Sequence, residues 1–278
     1  MNNYLTLLVD TLLAKNRPDR TGIGTRALFS KSLQFNMADG FPVVTTKKLA
    51  FNTICAELAC FLRGYDTLEQ FHEMGCKIWD ANGTADYWTR ADEVEGIWLG
   101  RIYGVQWRRW LTRDGKEIDQ LADVIRRIKT NPSDRRLCVT AWNPGELDEM
   151  CLPPCHLYYQ FFVESPGTWN ARLNMFVLMR SVDIFIGMPF DIASYALLLH
   201  IVARQTGLRP SVLDMHFVDC HLYLNHIAQA VEQVDRIPKA LPILQLDLAC
   251  TSVDNFLPEH AKLIDYEHAE SIRAPMNV

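Results

Sequence analysis

The residues from Arg180 to Ser194 bring together side chains that could recognise and transform a small charged molecule. They read Arg-Ser-Val-Asp-Ile-Phe-Ile-Gly-Met-Pro-Phe-Asp-Ile-Ala-Ser, so an arginine, a serine and two aspartates lie near a Gly-x-Pro segment that indicates a turn. Upstream, Pro-Pro-Cys-His places a thiol beside an imidazole at Cys155 and His156. A thiolate is a strong nucleophile when nearby positive charge lowers its pKa, and Arg180 could supply that charge. The pattern favours Cys155 as a nucleophile, although an isolated cysteine is more often a small buried side chain.

Apolar periodicity predicts the elements that must position these residues. No repeat, low-complexity tract or Pro/Gly/Ser-rich linker is present, so one domain is expected. Strands and helices mix without regular alternation, which indicates the α+β class. A polar, irregular segment at 82–95 is interpreted as a surface insertion. The expected helices cover 2–15, 52–63, 118–129, 189–206 and 222–234, and the expected strands cover 22–35 (with its turn at Gly22 and Gly24), 137–142, 157–164 and 169–178.

Composition narrows the class of protein. The 278 residues are 49% hydrophobic, enough for one sizeable core, and the net charge of -5 does not support a general nucleic-acid-binding surface. No apolar run is long enough to span a bilayer, and the first residues lack a signal-peptide layout. The eight cysteines show no disulfide spacing, so a reducing cytoplasm is expected. Cys151 and Cys155 lack a second pair with zinc-like spacing, so no metal site is expected.

The order of the motifs resembles the thymidylate synthase family over nearly the whole chain. The resemblance implies a single catalytic domain over 1–278 with a mixed twisted sheet packed with helices. It also implies that the sheet forms the interface of a homodimer. The motifs are Asp19-Arg-Thr-Gly-Ile-Gly-Thr25, Phe41-Pro-Val-Val-Thr-Thr-Lys-Lys48, Ile78-Trp-Asp80, Tyr103-Gly-Val-Gln-Trp-Arg108, Ser133-Asp-Arg-Arg136, Ala141-Trp-Asn-Pro-Gly-Glu-Leu-Asp148, His221-Leu-Tyr-Leu-Asn-His226 and Ala274-Pro-Met-Asn-Val278.

The resemblance also implies a role for each matching side chain. The nucleotide phosphate would contact Arg20, Arg180 and Ser181, with Arg135 and Arg136 reaching it from the partner subunit, because guanidinium groups suit a dianion. The sugar 3′-hydroxyl would contact His221 and Tyr223. The catalytic set would be Cys155, Glu57, Tyr103, Asn143, His156, Arg180 and Asp183. The cosubstrate 5,10-methylenetetrahydrofolate would contact Ile78, Trp79, Asp183, Ile186, Gly187, Phe190 and Val278, and the tail 274–278 would close over it.

Asp191 departs from the family, which usually has asparagine at that position. Uracil presents an acceptor at O4 and a donor at N3, whereas cytosine presents the amine donor at C4 and an acceptor at N3. A carboxylate accepts from the amine, and it pairs with N3 when either partner is protonated. Asp191 therefore indicates a cytosine nucleotide, with dCMP as the expected substrate. Met179 supports this interpretation, since methionine precedes the Arg-Ser pair in phage deoxycytidylate hydroxymethylases. The alternative for Asp191 is a helix N-cap ahead of Ile192.

In the reaction that the resemblance implies, elimination of tetrahydrofolate leaves an exocyclic methylene group at C5 of the pyrimidine. The product depends on whether hydride or water captures this intermediate. Trp79 and the C-terminal tail favour hydride transfer, giving 5-methyl-dCMP and dihydrofolate. Ala50, at an often basic position, and Gly83, near a second shielding tryptophan of the family, point instead to water and a hydroxymethyl product. The alternatives are a deoxycytidylate hydroxymethylase, a thymidylate synthase acting on dUMP, and a silent relative that binds nucleotide or its own messenger RNA. A cytosine-modifying virus, with the enzyme in the host cytoplasm, would be a suitable source.

Overall fold

The computed structural model of the chain describes residues 1–88 and 97–277. Four short 3₁₀ turns join the helices and strands of these residues, at Met37–Asp39, Leu147–Glu149, Leu224–His226 and Pro258–His260. The helices are α1 (Asn2–Leu12), α2 (Phe51–Arg63), α3 (Leu68–Glu73), α4 (Asp80–Gly83), α5 (Tyr103–Arg108), α6 (Gln120–Thr130), α7 (Gly187–Thr206) and α8 (Ile227–Val234). The strands are β1 (Asn16–Arg17), β2 (Thr25–Asn36), β3 (Trp110–Leu111), β4 (Glu117–Ile118), β5 (Cys138–Thr140), β6 (His156–Glu164), β7 (Arg172–Asp183), β8 (Arg209–Tyr223), β9 (Ile243–Leu246) and β10 (Ala261–Ile264).

A six-stranded mixed sheet organises the fold, with the strand order β1-β2-β8-β7-β6-β5. Strands β7 and β8 run parallel, and the other neighbouring pairs are antiparallel. Helix α7 is the crossover that joins the parallel pair, since parallel neighbours need a long connection. The mixed sheet packed against helices confirms the predicted α+β class.

Helix α7 packs against β7 and β8 and lies at the centre of the molecule. Its apolar side chains are buried around most of the helix, as in a helix that is surrounded by protein. On the face of β7 that packs against α7, the side chains of Leu173, Met175 and Val177 are buried. The residues between them are more accessible, which is the alternation of burial expected of a strand. Strand β7 and helix α7 are both packed in the core, and α7 begins shortly after β7 ends. The polar residues at their junction are therefore anchored on both sides by packed elements.

The other face of the sheet carries apolar side chains that remain accessible. Phe162 is 65% exposed, and Phe176 and Leu178, on the neighbouring strand, are half-buried. The register places Leu178 between Tyr158 and His216, so one apolar and aromatic surface crosses three strands. Such a surface, outside the buried core, is suited to contact another protein.

The largest error of the sequence analysis concerns β8. No strand was predicted at 209–223, and a helix was expected from 222, whereas Leu222 and Tyr223 end the strand and α8 begins at Ile227. The strand carries a period-two pattern, with Leu213, Met215 and Phe217 buried on one face. The polar residues that alternate with these three side chains lie on the accessible face of the sheet, and they obscured the pattern in the sequence.

Smaller corrections concern element ends. Strand β7 starts at Arg172 rather than 169 and continues through Arg180 and Ser181 to Asp183. The Gly-x-Pro segment is the first turn of α7 and not a separate turn, because proline is tolerated where no helical partner for its missing N–H is needed. The hairpin turn near Gly22 and Gly24 is confirmed between β1 and β2, and both glycines have positive φ.

The expected surface insertion at 82–95 is only partly described, because residues 89–96 lie outside the described residues. In its first part, Thr84, Asp86 and Tyr87 are exposed and lie in turns, whereas two other residues are buried. Gly83 ends α4 and is buried, and the Trp88 ring is buried beside Trp98 at a centroid distance of 5.8 Å.

Candidate active site

A cavity of about 730 Å³ opens where the first residue of β6 and the last residues of β7 and β8 meet. The parallel pairing of β7 with β8 and the antiparallel pairing of β6 with β7 bring these three strand ends to one edge of the sheet. The cavity brings together the predicted residues Arg20, Glu57, Ile78, Trp79, Tyr103, Cys155, His156, Arg180, Ser181, Asp183, Ile186, Gly187, Asp191, His221 and Tyr223.

Cys155 lies in the loop that enters β6, held by Arg180 and Tyr103. Arg180 donates from Nε and Nη2 to the carbonyl oxygens of Pro154 and Pro153, both at 2.8 Å. The Cys155 amide donates to the Tyr103 hydroxyl at 2.8 Å. Burial raises the pKa of the Cys155 thiol, and the Arg180 guanidinium opposes that shift only in part. Arg180 therefore acts in the direction expected of a charge that favours the thiolate, and it also shapes the loop.

Asp191, His156 and Tyr195 form a hydrogen-bonded chain along the cavity wall. Asp191 Oδ1 lies 3.0 Å from His156 Nε2, and the Tyr195 hydroxyl lies 3.0 Å from His156 Nδ1. Donation from Nε2–H to the carboxylate and from the tyrosine to Nδ1 satisfies both ring nitrogens. Asp191 is the fifth residue of α7 and Ile186 is the N-cap, so the N-cap alternative for Asp191 is wrong.

Glu57 projects from α2 into the same cavity. It accepts a hydrogen bond from Trp79 Nε1 at 2.8 Å. Burial raises the pKa of the Glu57 carboxyl to about 7, and the charge of Asp191 adds to the increase. Tyr103 stands nearby in an aromatic cluster, with ring centroids 5.8 Å from Trp79 and 5.1 Å from His156. A carboxyl that titrates near neutral pH is suited to proton transfer in both directions.

Polar groups at the strand ends line another part of the cavity. His221 Nδ1 lies 3.1 Å from Asp219 Oδ1, which orients the imidazole, and its ring packs edge-on against Tyr223. Arg20 extends from a tight loop in which the Asp19 carboxylate accepts hydrogen bonds from the amides of Thr21 and Gly24. This loop positions the guanidinium of Arg20 at the cavity.

Asp183 joins β7 to α7. Its Oδ1 accepts the backbone N–H groups of Phe185 at 2.8 Å and Ile186 at 3.1 Å, which orders the chain just before the helix. Gly187 begins the helix, and a Cβ there would lie 3.7 Å from Asp191 Oδ2. The glycine thus leaves open the space beside the two aspartates.

Four predicted residues do not line the cavity. Asn143 donates from Nδ2 to Gln106 Oε1 at 3.4 Å, and Phe190 packs against the core. Arg136 pairs with Asp134, and Arg135 accepts through its backbone carbonyl from Gln160 Nε2 at 3.2 Å, at the edge of the accessible sheet face. Val278 lies outside the described residues.

The structure adds residues at or behind the cavity wall that the sequence analysis missed. Tyr195 is buried behind His156, and it follows Asp191 by four positions, a helical spacing that could have indicated it. Trp142 lies beneath the Arg180 guanidinium, 5.8 Å from ring centroid to Cζ. Gly83 was expected at a shielding position, but it packs against Leu68 and Leu99, and the cavity is lined instead by Asn82. Met276 and Asn277 also line it, and they belong to the tail 274–278 that was expected to close over the cosubstrate.

Neither a metal-binding cluster nor a membrane-spanning helix occurs within the part of the chain that the structure describes. Residues 1–88 and 97–277 contain no cluster of three or more His, Cys, Asp or Glu side chains placed to hold a metal ion. Among the helices of the same residues, none has the length and apolar character needed to cross a membrane.

The comparison with known protein families agrees with this site. A family model described as thymidylate synthase matches residues 2–278. Members of that family transfer one carbon from methylenetetrahydrofolate to C5 of a pyrimidine nucleotide, and they are dimers. The match covers nearly the whole chain, and the cavity unites a thiol, a buried carboxyl and two arginine side chains. The chain therefore belongs to the thymidylate synthase family and is a one-carbon transferase of pyrimidine nucleotides.

Proposed function

We propose that this protein methylates dCMP at C5, giving 5-methyl-dCMP, and that residues 1–278 act as one catalytic domain. The observation that carries the proposal is the Asp191 carboxylate on the cavity wall, 3.0 Å from His156 Nε2. A carboxylate that accepts a histidine N–H keeps further lone pairs with which it can accept hydrogen bonds from a ligand in the cavity. The cytosine amine at C4 can donate to the carboxylate. Uracil O4 is itself an acceptor, so it would face the carboxylate without a hydrogen bond between them.

The remainder of the base edge fits the same assignment. Cytosine N3 is an acceptor, so one proton shared between N3 and Asp191 completes the second hydrogen bond. A polar edge left unpaired in a buried site costs about 1–3 kcal/mol, or roughly tenfold to a hundredfold in selectivity. Asp191 is thus proposed to bind cytosine and to stabilise the charge that develops at N3 and C4.

The phosphate and sugar contacts follow from the polar side of the cavity. Arg20, Arg180 and Ser181 are proposed to bind the phosphate, together with Arg135 and Arg136 of the partner subunit. His221 and Tyr223 are proposed to bind the 3′-hydroxyl. Asp219 accepts from His221 Nδ1–H, which leaves Nε2 as the group that faces a sugar hydroxyl.

Cys155 is proposed to add to C6 of the pyrimidine through Sγ, which makes C5 nucleophilic. Because burial raises the pKa of the thiol, its proton is proposed to pass to water in the cavity as the bond between Sγ and C6 forms. Tyr103, next to the nucleophile, is proposed to help remove the C5 proton through ordered water. Glu57, with its pKa near neutrality, is proposed to relay protons with His156, while Asn143 supports the water network through Gln106.

The cavity is suited to a flat, partly aromatic cosubstrate beside the nucleotide. Its lining includes the apolar side chains of Ile78, Trp79 and Ile186, and Asp183 offers a hydrogen-bonding carboxylate. These residues, with Gly187, Phe190 and Val278, are proposed to hold 5,10-methylenetetrahydrofolate. When bound, that molecule supplies the one-carbon unit and, in methylation, the hydride. Trp79 and the tail are proposed to exclude water from this space.

A second candidate is hydroxymethylation of dCMP, favoured by a particular observation. Asn82 lines the cavity with a polar side chain close to Trp79 in sequence, and such an amide can hold a water molecule. Action on dUMP is the remaining alternative within the family.

The deciding experiment gives the purified protein dCMP or dUMP with methylenetetrahydrofolate, and follows dihydrofolate absorbance and nucleotide mass. Methylated dCMP with one dihydrofolate per product is the expected result. A hydroxymethyl product without dihydrofolate would show that water, and not hydride, adds to the methylene intermediate. Faster turnover of dUMP than of dCMP would refute the substrate assignment.

We propose that the accessible sheet face containing Phe162, Phe176 and Leu178 is the homodimer interface. Its apolar character and its position beside Arg135 and Arg136 support this arrangement. An isologous contact across the face would carry both arginines toward the second subunit.

A further inference from the structure

The C-terminal tail contacts the body of the protein next to the cavity through side chains outside the proposed catalytic set. Asn225 donates from Nδ2 to Asn277 Oδ1 at 2.9 Å, and Asn277 donates from Nδ2 to Asn225 Oδ1 at 3.1 Å. This reciprocal amide pair makes two hydrogen bonds between two residues 52 positions apart in the chain. Two hydrogen bonds between the same two side chains restrain the orientation of the tail as well as its distance from the body of the protein.

His226 provides a second point of attachment. Its Nε2 lies 2.8 Å from the Pro275 carbonyl oxygen and 3.3 Å from Asn277 Nδ2. A ring nitrogen cannot donate and accept at once, and the shorter contact assigns the N–H to Nε2 as a donor to Pro275. The side chain is fully buried, with its ring centroid 5.7 Å from those of Phe185 and Tyr223, so the anchor is rigid.

The other ring nitrogen of His226 faces the cavity wall. Nδ1 is buried, lies 3.8 Å from Asp183 Oδ2, and has no hydrogen-bond partner among residues 1–88 and 97–277. The second carboxylate oxygen of Asp183 binds the amides that precede α7. His226 therefore lies between the tail and the residue that joins β7 to α7.

We propose that Asn225, Asn277 and His226 form a latch that holds the C-terminal tail over the cavity, and that this latch controls water access to the reacting carbon. The tail carries Met276 and Asn277 into the cavity wall, so its release would open that wall to solvent. The effect on water access rests on the proposed function, whereas the attachment of the tail does not. Asn225 and His226 are positioning residues, since they act through the tail.

The first test measures tail release in the protein without added nucleotide. Carboxypeptidase can digest Asn277 and the residues before it only when the tail is detached, and the rate of this digestion follows the open population when closing is fast. Asn225→Ala leaves the tail sequence unchanged, so the protease meets the same substrate. Intact-mass measurements should show cleavage about tenfold faster, as expected for losing a pair of exposed neutral hydrogen bonds. Ser271→Ala, an exposed change in the same segment, should match the unaltered protein.

The second test measures product partition and kinetic constants with whichever pyrimidine nucleotide reacts. Asn225→Ala and Asn277→Ala should each raise the hydroxymethyl-to-methyl ratio about tenfold and raise KM for the folate more than for the nucleotide. The double variant should match the single variants, because each removes the same pair. Circular dichroism and thermal unfolding verify that all variants are folded.

Unchanged carboxypeptidase cleavage in Asn225→Ala would overturn the latch. Faster cleavage with an unchanged product ratio would overturn its control of water access. Failure of the proposed function is separately visible, because the protease test needs no substrate and the partition test reports which nucleotide reacts.

Discussion

At the scale of single residues, the chemistry of this site depends on how three acidic or nucleophilic groups influence one another. The negative charge of Asp191 raises the pKa of both Glu57 and Cys155, and burial acts in the same direction. The charge of His156 acts on Glu57 in the opposite direction and partly offsets the increase. A change at Asp191 should therefore alter proton transfer at Glu57 as well as the proposed specificity.

Replacing Asp191 by asparagine tests the specificity argument. Asp191→Asn should change the ratio of kcat/KM for dCMP and dUMP by roughly tenfold to a hundredfold toward dUMP, because the amide offers a donor to O4 and an acceptor to N3–H. Matched initial-rate assays with both nucleotides measure the ratio. Asp10→Asn on exposed α1 makes the same chemical change away from the cavity and should leave the ratio unchanged. A constant ratio in Asp191→Asn would remove the residue from the specificity argument.

Glu57 has a consequence for stability that can be measured without substrate. Its folded pKa, near 7, is raised above the ordinary value of 4.5, so its stabilising contribution is present below pH 4.5 and is lost as pH rises through 7. Glu57→Gln removes this dependence while keeping an acceptor for Trp79.

Between pH 6 and pH 8, the free energy of unfolding of the unaltered protein should therefore fall relative to that of Glu57→Gln. Urea unfolding of both proteins at the two pH values measures this difference. The difference in stability between the two pH values has an upper limit of about 1.4 kcal/mol, because the folded carboxyl loses its proton midway between them. Glu117→Gln, on the exposed strand β4, serves as control. A parallel response of Glu57→Gln and the unaltered protein would show that Glu57 titrates normally.

At the scale of elements, the site depends on a close approach between α2, which carries Glu57, and α5, which carries Tyr103. A Cβ at Gly104 would lie 2.5 Å from the Phe61 carbonyl oxygen and 2.6 Å from its Cα. Both neighbours are backbone atoms, so only a shift of one helix could accommodate a side chain. The glycine is required for packing here.

Gly104→Ala should therefore separate the two helices, reduce the free energy of unfolding by about 1–3 kcal/mol, and lower kcat more than it raises KM for the nucleotide. Denaturant unfolding and steady-state kinetics measure these effects. Gly145→Ala is a suitable control, since its Cβ would meet only Asn143 Oδ1 at an ordinary 3.6 Å. Full activity and stability in Gly104→Ala would contradict the packing argument.

At the scale of the whole molecule, the position of Arg135 and Arg136 supports the proposal that the catalytic unit is larger than one chain. Neither residue lines the cavity of its own subunit, and both lie at the edge of the accessible sheet face. If each site needs the arginines of the other subunit, two inactive variants should complement each other.

An Arg135→Ala/Arg136→Ala variant and a Cys155→Ser variant should each be nearly inactive. Refolded together at equal concentrations, they should regain about a quarter of the normal activity, because half of the dimers are mixed and each mixed dimer has one complete site. Sedimentation verifies that dimers form, and mixing each variant with itself provides the control. An absence of recovered activity in verified mixed dimers would refute the shared site.

The sequence by itself determined the family, the α+β class and most of the chemical groups, because the motifs Asp19–Thr25, Pro153–His156 and Arg180–Asp191 are contiguous and specific. Elements with strong periodicity, such as α7, were also predictable, since a long apolar helix leaves a clear pattern. Strand β8 was missed because its polar residues belong to an accessible sheet face. Local propensity does not show which face another element covers.

Only the tertiary structure decided how distant groups meet. The Asp191–His156–Tyr195 chain joins α7 to β6, and the attachment of Asn277 to Asn225 joins the last residues to the end of β8. Sequence distance carries no information about such pairs. It was the pairing of β7 with both neighbours that brought the strand ends to one edge. The same packing made Asn82, rather than Gly83, a wall of the cavity, since burial of Gly83 against Leu68 fixes which side of α4 faces inward.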